Sequence, residues 1–176
     1  VEGEWVLGPA YDFFDEIYRQ LPNIHLVVED LGDLRKQVIK LKEHYDLYGM
    51  NVMQFEMQPK LLKKKRNEHT ILYTGTHDND TAEGWFASLD EHDRNFVREY
   101  IGAGYTPEGE IHWDLVRAAL GSVADLAVIP VQDYLGYDTS ARINEPSTLG
   151  KNWRWRMRAE DLDEDIVKRC RRMAGI

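Results

Sequence analysis

A parallel α/β fold is what this sequence predicts, from three observations. Short apolar runs alternate with stretches of helical spacing, the runs read as strands buried on both faces, and polar side chains gather just past their C-terminal ends. The first run is His25-Leu26-Val27-Val28, followed by Leu34, Val38, Leu41 and Tyr45 at helical spacing. Asn51 to Phe55 forms the second strand candidate and Thr70 to Tyr73 the third. Behind the third lie two amphipathic stretches, Ala82 to Ser88 and Glu91 to Ile101. A break at Gly102-Ala103-Gly104 leads to a helix over Trp113 to Leu120 and a fourth strand over Leu126 to Val131. Strands separated by helices imply parallel neighbours, because a parallel pair needs a crossover connection. The charged tail, Ala159 to Met173, is expected as one helix packing on the outside.

The 176 residues are enough for one sizeable core, and 43% apolar residues with 30% charged describe a globular protein. No run approaches the roughly 18 apolar residues of a membrane span and no signal-peptide pattern is visible, so neither membrane insertion nor a membrane partner is expected and the expected location is cytoplasmic. Cys170 is the single cysteine, which excludes an internal disulfide and a cysteine metal cluster. A net charge of −9 argues against nucleic acid as partner, since phosphate binding needs a positive footprint. The one basic cluster, Lys63 to Arg66, reads as a solvated loop or helix face, with a phosphate-binding patch as the alternative.

The polar residues past the strand candidates are Glu29 and Asp30, then Glu56, then His77, Asp78 and Asp80, then Gln132 and Asp133. Each could simply cap the helix that follows it. Four strand ends together point instead to the place where parallel α/β folds build active sites. The histidines His25, His44, His69, His77, His92 and His112 include no pair at zinc-ligand spacing with a third ligand, so no metal or other cofactor is expected. There is no Gly-x-Ser-x-Gly nucleophile elbow. Paired carboxylates with aromatic neighbours are the apparatus of glycoside chemistry, and the 5 tryptophans and 9 tyrosines suit sugar stacking.

Four stretches in consistent order, VVEDLG at 27–32, YTGTHDNDT at 73–81, GSVADLAVIPVQDYLG at 121–136 and ARINEPSTLGKNWRWR at 141–156, resemble the amylomaltases, the 4-alpha-glucanotransferases of the alpha-amylase clan. The resemblance runs from about Trp5 to Arg158. It implies that residues 1–158 are the C-terminal half of a TIM (β/α)8 barrel, about four βα units, with 159–176 as an exterior helix. It implies a parent enzyme that moves α-1,4-glucan segments between maltooligosaccharides by a retaining double displacement. By the resemblance Glu29 is the general acid/base, Asp78 stabilises the distorted sugar at the transition state and His77 donates a hydrogen bond to a sugar hydroxyl; Asn144, assigned to substrate binding, lies with Trp153 in the matching tail segment, whose residues either touch sugar or brace the barrel base. Leu26, Val27 and Val28 would wall Glu29 and disfavour its ionisation, and Gly75 would let the backbone turn beneath His77.

By the same resemblance, the nucleophilic aspartate belongs to a strand before the E-D-L-G strand and falls upstream of this sequence, so the chain alone is expected to be inactive. Its uncovered strand edges are then expected to favour self-association. The stretch EMQPKLLKKKRNEH at 56–69 lacks the family's proline- and asparagine-rich loop. A hydrolase of the same clan and a non-catalytic half-barrel are the competing expectations.

Overall fold

The helices that start at Ala82, Glu91 and Glu164 begin where a short polar side chain, Thr81, Asp90 or Asp163, bonds a free backbone N–H. The computed structural model describes residues 3–4, 6–32, 34–57, 69–104, 106–107 and 109–175, so the expectation for Lys63 to Arg66 lies outside the described residues, as does all but the ends of 56–69. The chain divides into two compact units, 1–50 and 51–176.

In the first unit, α1 (Ala10–Gln20) and α2 (Lys36–His44) meet through aromatic rings. Tyr45, just past α2, stacks on Tyr18 at 5.7 Å and packs against Phe14 at 5.1 Å and Tyr11 at 6.0 Å. Its hydroxyl donates to Asp15 Oδ1 at 2.6 Å, and desolvation followed by that carboxylate pushes the phenol up to about 12. The expected first strand is reduced to one parallel bridge between Val27 and Tyr48, with Val28 N–H donating to the Tyr48 carbonyl at 2.9 Å. Asp30 then ends the extended run by bonding elsewhere in the unit: it accepts from Met50 N–H at 2.7 Å and from Lys42 Nζ at 2.5 Å. Gly49 makes room for this ion pair, because a Cβ there would overlap both the Lys42 ammonium and the Asp30 carboxylate.

The second unit carries the larger core. Strand β1 (Gly49–Val52), whose last two residues open this unit, β2 (Thr70–Tyr73) and β3 (Leu126–Val128) form one sheet in the order β1-β2-β3. β2 and β3 are parallel with Ile71, Leu72 and Tyr73 opposite Leu126, Ala127 and Val128, as the alternation of runs and helices predicts. Two strands are shorter than expected. After Val52 the chain winds into the single turn α3 (Met53–Glu56), closed by Met57 N–H on the Met53 carbonyl, so Glu56 ends a helical turn and not a strand. After Val128 it reaches Pro130 and the turn α7 (Val131–Tyr134), and Leu126 is 52% exposed.

Between β2 and β3 run α4 (Ala82–Ser88), capped by Thr81 on Gly84 N–H, α5 (Glu91–Tyr100), capped by Asp90 on Asp93 N–H, and α6 (Ile111–Leu120). Met53, Leu72, Phe86, Val97, Ile111 and Leu115 form the centre of the core. The tail is not one helix. A 3-10 turn (Ala159–Asp161) comes first, and Asp163 starts α8 (Glu164–Ala174) by capping Ile166 N–H. α8 has no buried residue and leans on α6 through Arg169, whose guanidinium lies 4.1 Å from the Trp113 ring centre. No helix among the described residues is long and apolar enough to cross a membrane.

Asp133 joins the functional end of this unit. At 1% exposure its carboxylate accepts from Thr74 Oγ1 at 2.5 Å, just past β2, and from Ala82 N–H at 2.8 Å, at the start of α4. Burial raises its pKa, against the lowering by those two bonds. A raised folded-state value favours the protonated form in the folded protein. The stabilisation is therefore complete below the ordinary carboxylate range and is lost as pH rises through the raised value. Asp133→Ala, which strands a buried hydroxyl and a buried N–H, should cost about 2–4 kcal/mol. Asp133→Asn should cost less, and its deficit relative to wild type should shrink from pH 4 towards pH 7; urea unfolding across that range reads both, and a constant deficit would contradict the linkage.

Candidate active site

Residues 74–81 form a loop held open by its own side chains. Asn79 Oδ1 accepts from Thr76 N–H at 2.9 Å and from Thr76 Oγ1 at 2.7 Å, and Asn79 N–H returns to the Thr76 carbonyl at 3.1 Å. This small ring places His77 and Asp78 at its exposed tip. Asp80 faces inward to the frame: its carboxylate accepts from Thr81 N–H and from Thr139 Oγ1, both at 2.8 Å, and its carbonyl accepts from the Gln54 amide at 2.8 Å. Gly75 leaves room for that amide, which a Cβ would approach to 2.8 Å. The expected turning role for Gly75 is therefore replaced by close approach, and its backbone is not in the left-handed region.

A second segment closes over the loop tip. The 3-10 turn Thr139–Ala141 is fixed by Asp80 on one side and by Gln132, whose amide donates to the Ala141 carbonyl at 3.3 Å, on the other. Gly84 lets this turn sit on α4, since a Cβ there would collide with Thr139. Beyond the turn, Arg142 spans the two segments: Nη2 donates to the Asp78 carbonyl at 2.8 Å and Nε to the Asn144 carbonyl at 2.9 Å. Asn144 N–H donates to the His77 carbonyl at 3.1 Å, and its side-chain amide donates to Asp78 Oδ1 at 2.6 Å.

His77, Asp78 and Asn144, predicted separately, thus form one cluster. His77 Nε2 lies 3.3 Å from Asp78 Oδ1, and the imidazole packs at 5.2 Å and a 35° tilt against the indole of Trp153. Both Asp78 contacts fall on Oδ1; among the described residues Oδ2 takes no bond. An anchored carboxylate with one free oxygen can hold a cation-like ring or a hydroxyl without rearranging. Arg142 was not singled out from the sequence, although its place two residues before Asn144 in the A-R-x-N run was the available signal.

Glu29 belongs to the first unit, where its neighbour Asp30 is fully engaged with Met50 and Lys42. That anchoring leaves Glu29 exposed at the end of the Val27–Val28 run. Of its expected apolar neighbours, Leu26 and Val28 are half-buried and Val27 is 47% exposed. Asp30, Asp80 and Asp133 each satisfy backbone or side-chain donors of the frame, and none of them caps the helix that follows it.

Relatives of known kind share this frame. A 4-alpha-glucanotransferase family model matches residues 1–162. A chloroplastic/amyloplastic 4-alpha-glucanotransferase of Oryza sativa subsp. japonica is 40% identical over 88% of this chain and 26% of its own length. A 4-alpha-glucanotransferase of Thermus thermophilus is 36% identical over 99% of this chain and 37% of its own length. The solved amylomaltase from Streptococcus agalactiae in complex with acarbose matches with a TM-score of 0.87 at 28% identity, over 97% of this chain and 35% of that one. The chain spans about a third of the length of these relatives. With the family match covering both the E-D-L-G run and the loop that carries His77 and Asp78, the chain belongs to the 4-alpha-glucanotransferase family.

Proposed function

We propose that the protein carrying this chain transfers α-1,4-glucan segments between maltooligosaccharides with retention, as part of a TIM barrel whose C-terminal portion is residues 1–158. The observation that carries the reading is the Asp78 carboxylate, held through Oδ1 by Asn144, with His77 Nε2 3.3 Å from the same oxygen, and open at Oδ2. A retaining transfer passes through a sugar with oxocarbenium character, and a pre-oriented anion stabilises that charge more than it stabilises the neutral substrate. Asp78 has this part. Asn144 and Arg142 hold its orientation by donors to its carboxylate and its carbonyl. His77 supplies an imidazole next to it for a sugar hydroxyl.

Glu29 is the acid/base. It protonates the glycosidic oxygen as the bond to the leaving chain breaks, then takes the proton from the acceptor hydroxyl as the new bond forms. The covalent intermediate between these steps requires a second carboxyl as nucleophile, an aspartate that the resemblance assigns to a segment outside these residues. The acarbose bound to the Streptococcus agalactiae amylomaltase, an α-1,4-linked pseudo-oligosaccharide, supports the substrate class.

In the intact protein, Glu29→Gln should lower kcat on maltotriose by about 10²–10⁴-fold while acarbose still binds, because only the proton donor is lost. Near-normal turnover would exclude Glu29 as the acid. Asn144→Ala frees Asp78 Oδ1 from its 2.6 Å donor and should reduce kcat/KM by roughly tenfold, about the worth of one charge-assisted hydrogen bond. Following longer-chain products against free glucose with maltotriose identifies transfer; glucose without longer chains would mean hydrolysis.

A further inference from the structure

Trp153 is a large apolar side chain placed against the reading's sugar site at a cost in backbone conformation. Its φ is +64°, a region that disfavours residues with a Cβ, and the residue is 58% exposed, so packing against the described residues does not compensate the strain. The backbone around it is fixed from several directions. Trp153 N–H donates to the Ile143 carbonyl at 2.7 Å, beside Asn144, and its carbonyl accepts from Arg156 at 3.0 Å. The preceding Asn152 closes the 145–152 loop from inside: Oδ1 accepts from Glu145 N–H at 3.1 Å, and Nδ2 reaches the Thr148 carbonyl at 3.1 Å and hydroxyl at 3.2 Å. The same loop holds Ser147 at φ +64°. A loop that needed only to return the chain would place glycine or asparagine at such positions, as it does with Gly150 at φ +98°.

We infer that Trp153 is a glucan-stacking residue, its exposed indole face taking the apolar C–H face of a glucose unit whose polar edge is held by His77, Asp78 and Asn144. This rests on the sugar-site reading above. A pyranose presents axial C–H groups on its faces and hydroxyls around its rim, so it fits an aromatic plane beside hydrogen-bonding groups. The 5.2 Å contact with His77 sets the plane next to the polar cluster, and the braced backbone keeps the indole in place without ordering it on binding. Trp153 touches no reacting atom in this role. It binds the face of that glucose ring.

The test is a pair of substitutions in the intact protein, with Glu29→Gln as a parallel control on the reading itself. Trp153→Asn removes the ring but suits the left-handed backbone, so thermal stability should hold or rise. KM for maltotriose and the Kd for acarbose should rise roughly tenfold or more, with kcat changing less. Trp153→Tyr keeps an aromatic plane and should recover most of the affinity. Unchanged KM and Kd in Trp153→Asn would overturn the stacking role, and so would a fall in kcat and stability together with no change in Kd, which marks a brace for His77. If Glu29→Gln keeps full activity the catalytic reading fails, while the acarbose titration of Trp153→Asn still decides the binding role.

Discussion

The Asp133 carboxylate is the constraint on which the described site depends. It is the point where the end of β2, through Thr74, and the start of α4, through Ala82, are held together. The residues between those two anchors, 75–81, are the loop that carries His77 and Asp78. With both ends fixed by one buried group, the loop has little freedom except at its tip, and there the Thr76–Asn79 ring fixes the remainder. Burying a carboxylate is costly unless donors meet it, and the two donors it accepts belong to the two elements that must not separate. No buried polar side-chain atom among the described residues is left unsatisfied, and this position pins the frame on which Asp78 is carried.

A second set of contacts converts one positioned loop into a cluster. Asp80 holds the 3-10 turn at Thr139, Gln132 holds its far end, and Arg142 then bridges the Asp78 and Asn144 carbonyls. Two glycines are used for space and not for conformational freedom: Gly75 admits the Gln54 amide and Gly84 admits Thr139. Their effect is to let three segments far apart in sequence approach closely enough for Asn144 to meet Asp78.

Much of this was legible from the residues alone. The helices α2, α4, α5 and α6 and the strand β2 follow from residue spacing, because periodicity is a local signal. The lengths of β1 and β3 were not, since whether Met53 continues a strand or begins a turn depends on what packs against it, and a bridge as short as Val27–Tyr48 has no sequence signature of its own. Among the acids, composition at strand ends could select Glu29, Asp30, Asp78, Asp80 and Asp133 but could not sort them. Sorting needs the donor of each oxygen, and donors such as Met50 N–H for Asp30 and Ala82 N–H for Asp133 come from 20 and 51 residues away.

The donor pattern separates frame from site on physical grounds. A carboxylate with both oxygens bonded by its own chain has no capacity left for a ligand and contributes by holding elements in place, as Asp30, Asp80 and Asp133 do. A carboxylate that is anchored at one oxygen and exposed at the other is oriented yet still able to bind, and Asp78 has that form. The neighbouring pairs make the division sharp. In E-D and D-N-D runs the inward acid bonds the frame, and by doing so it turns the chain so that the adjacent acid faces solvent: Asp30 exposes Glu29, and Asp80 with Asn79 exposes Asp78. Doubling an acid at a strand end is therefore a way to expose one carboxylate by anchoring its neighbour, and this is why the same few residues could read, from sequence, both as helix caps and as an active site.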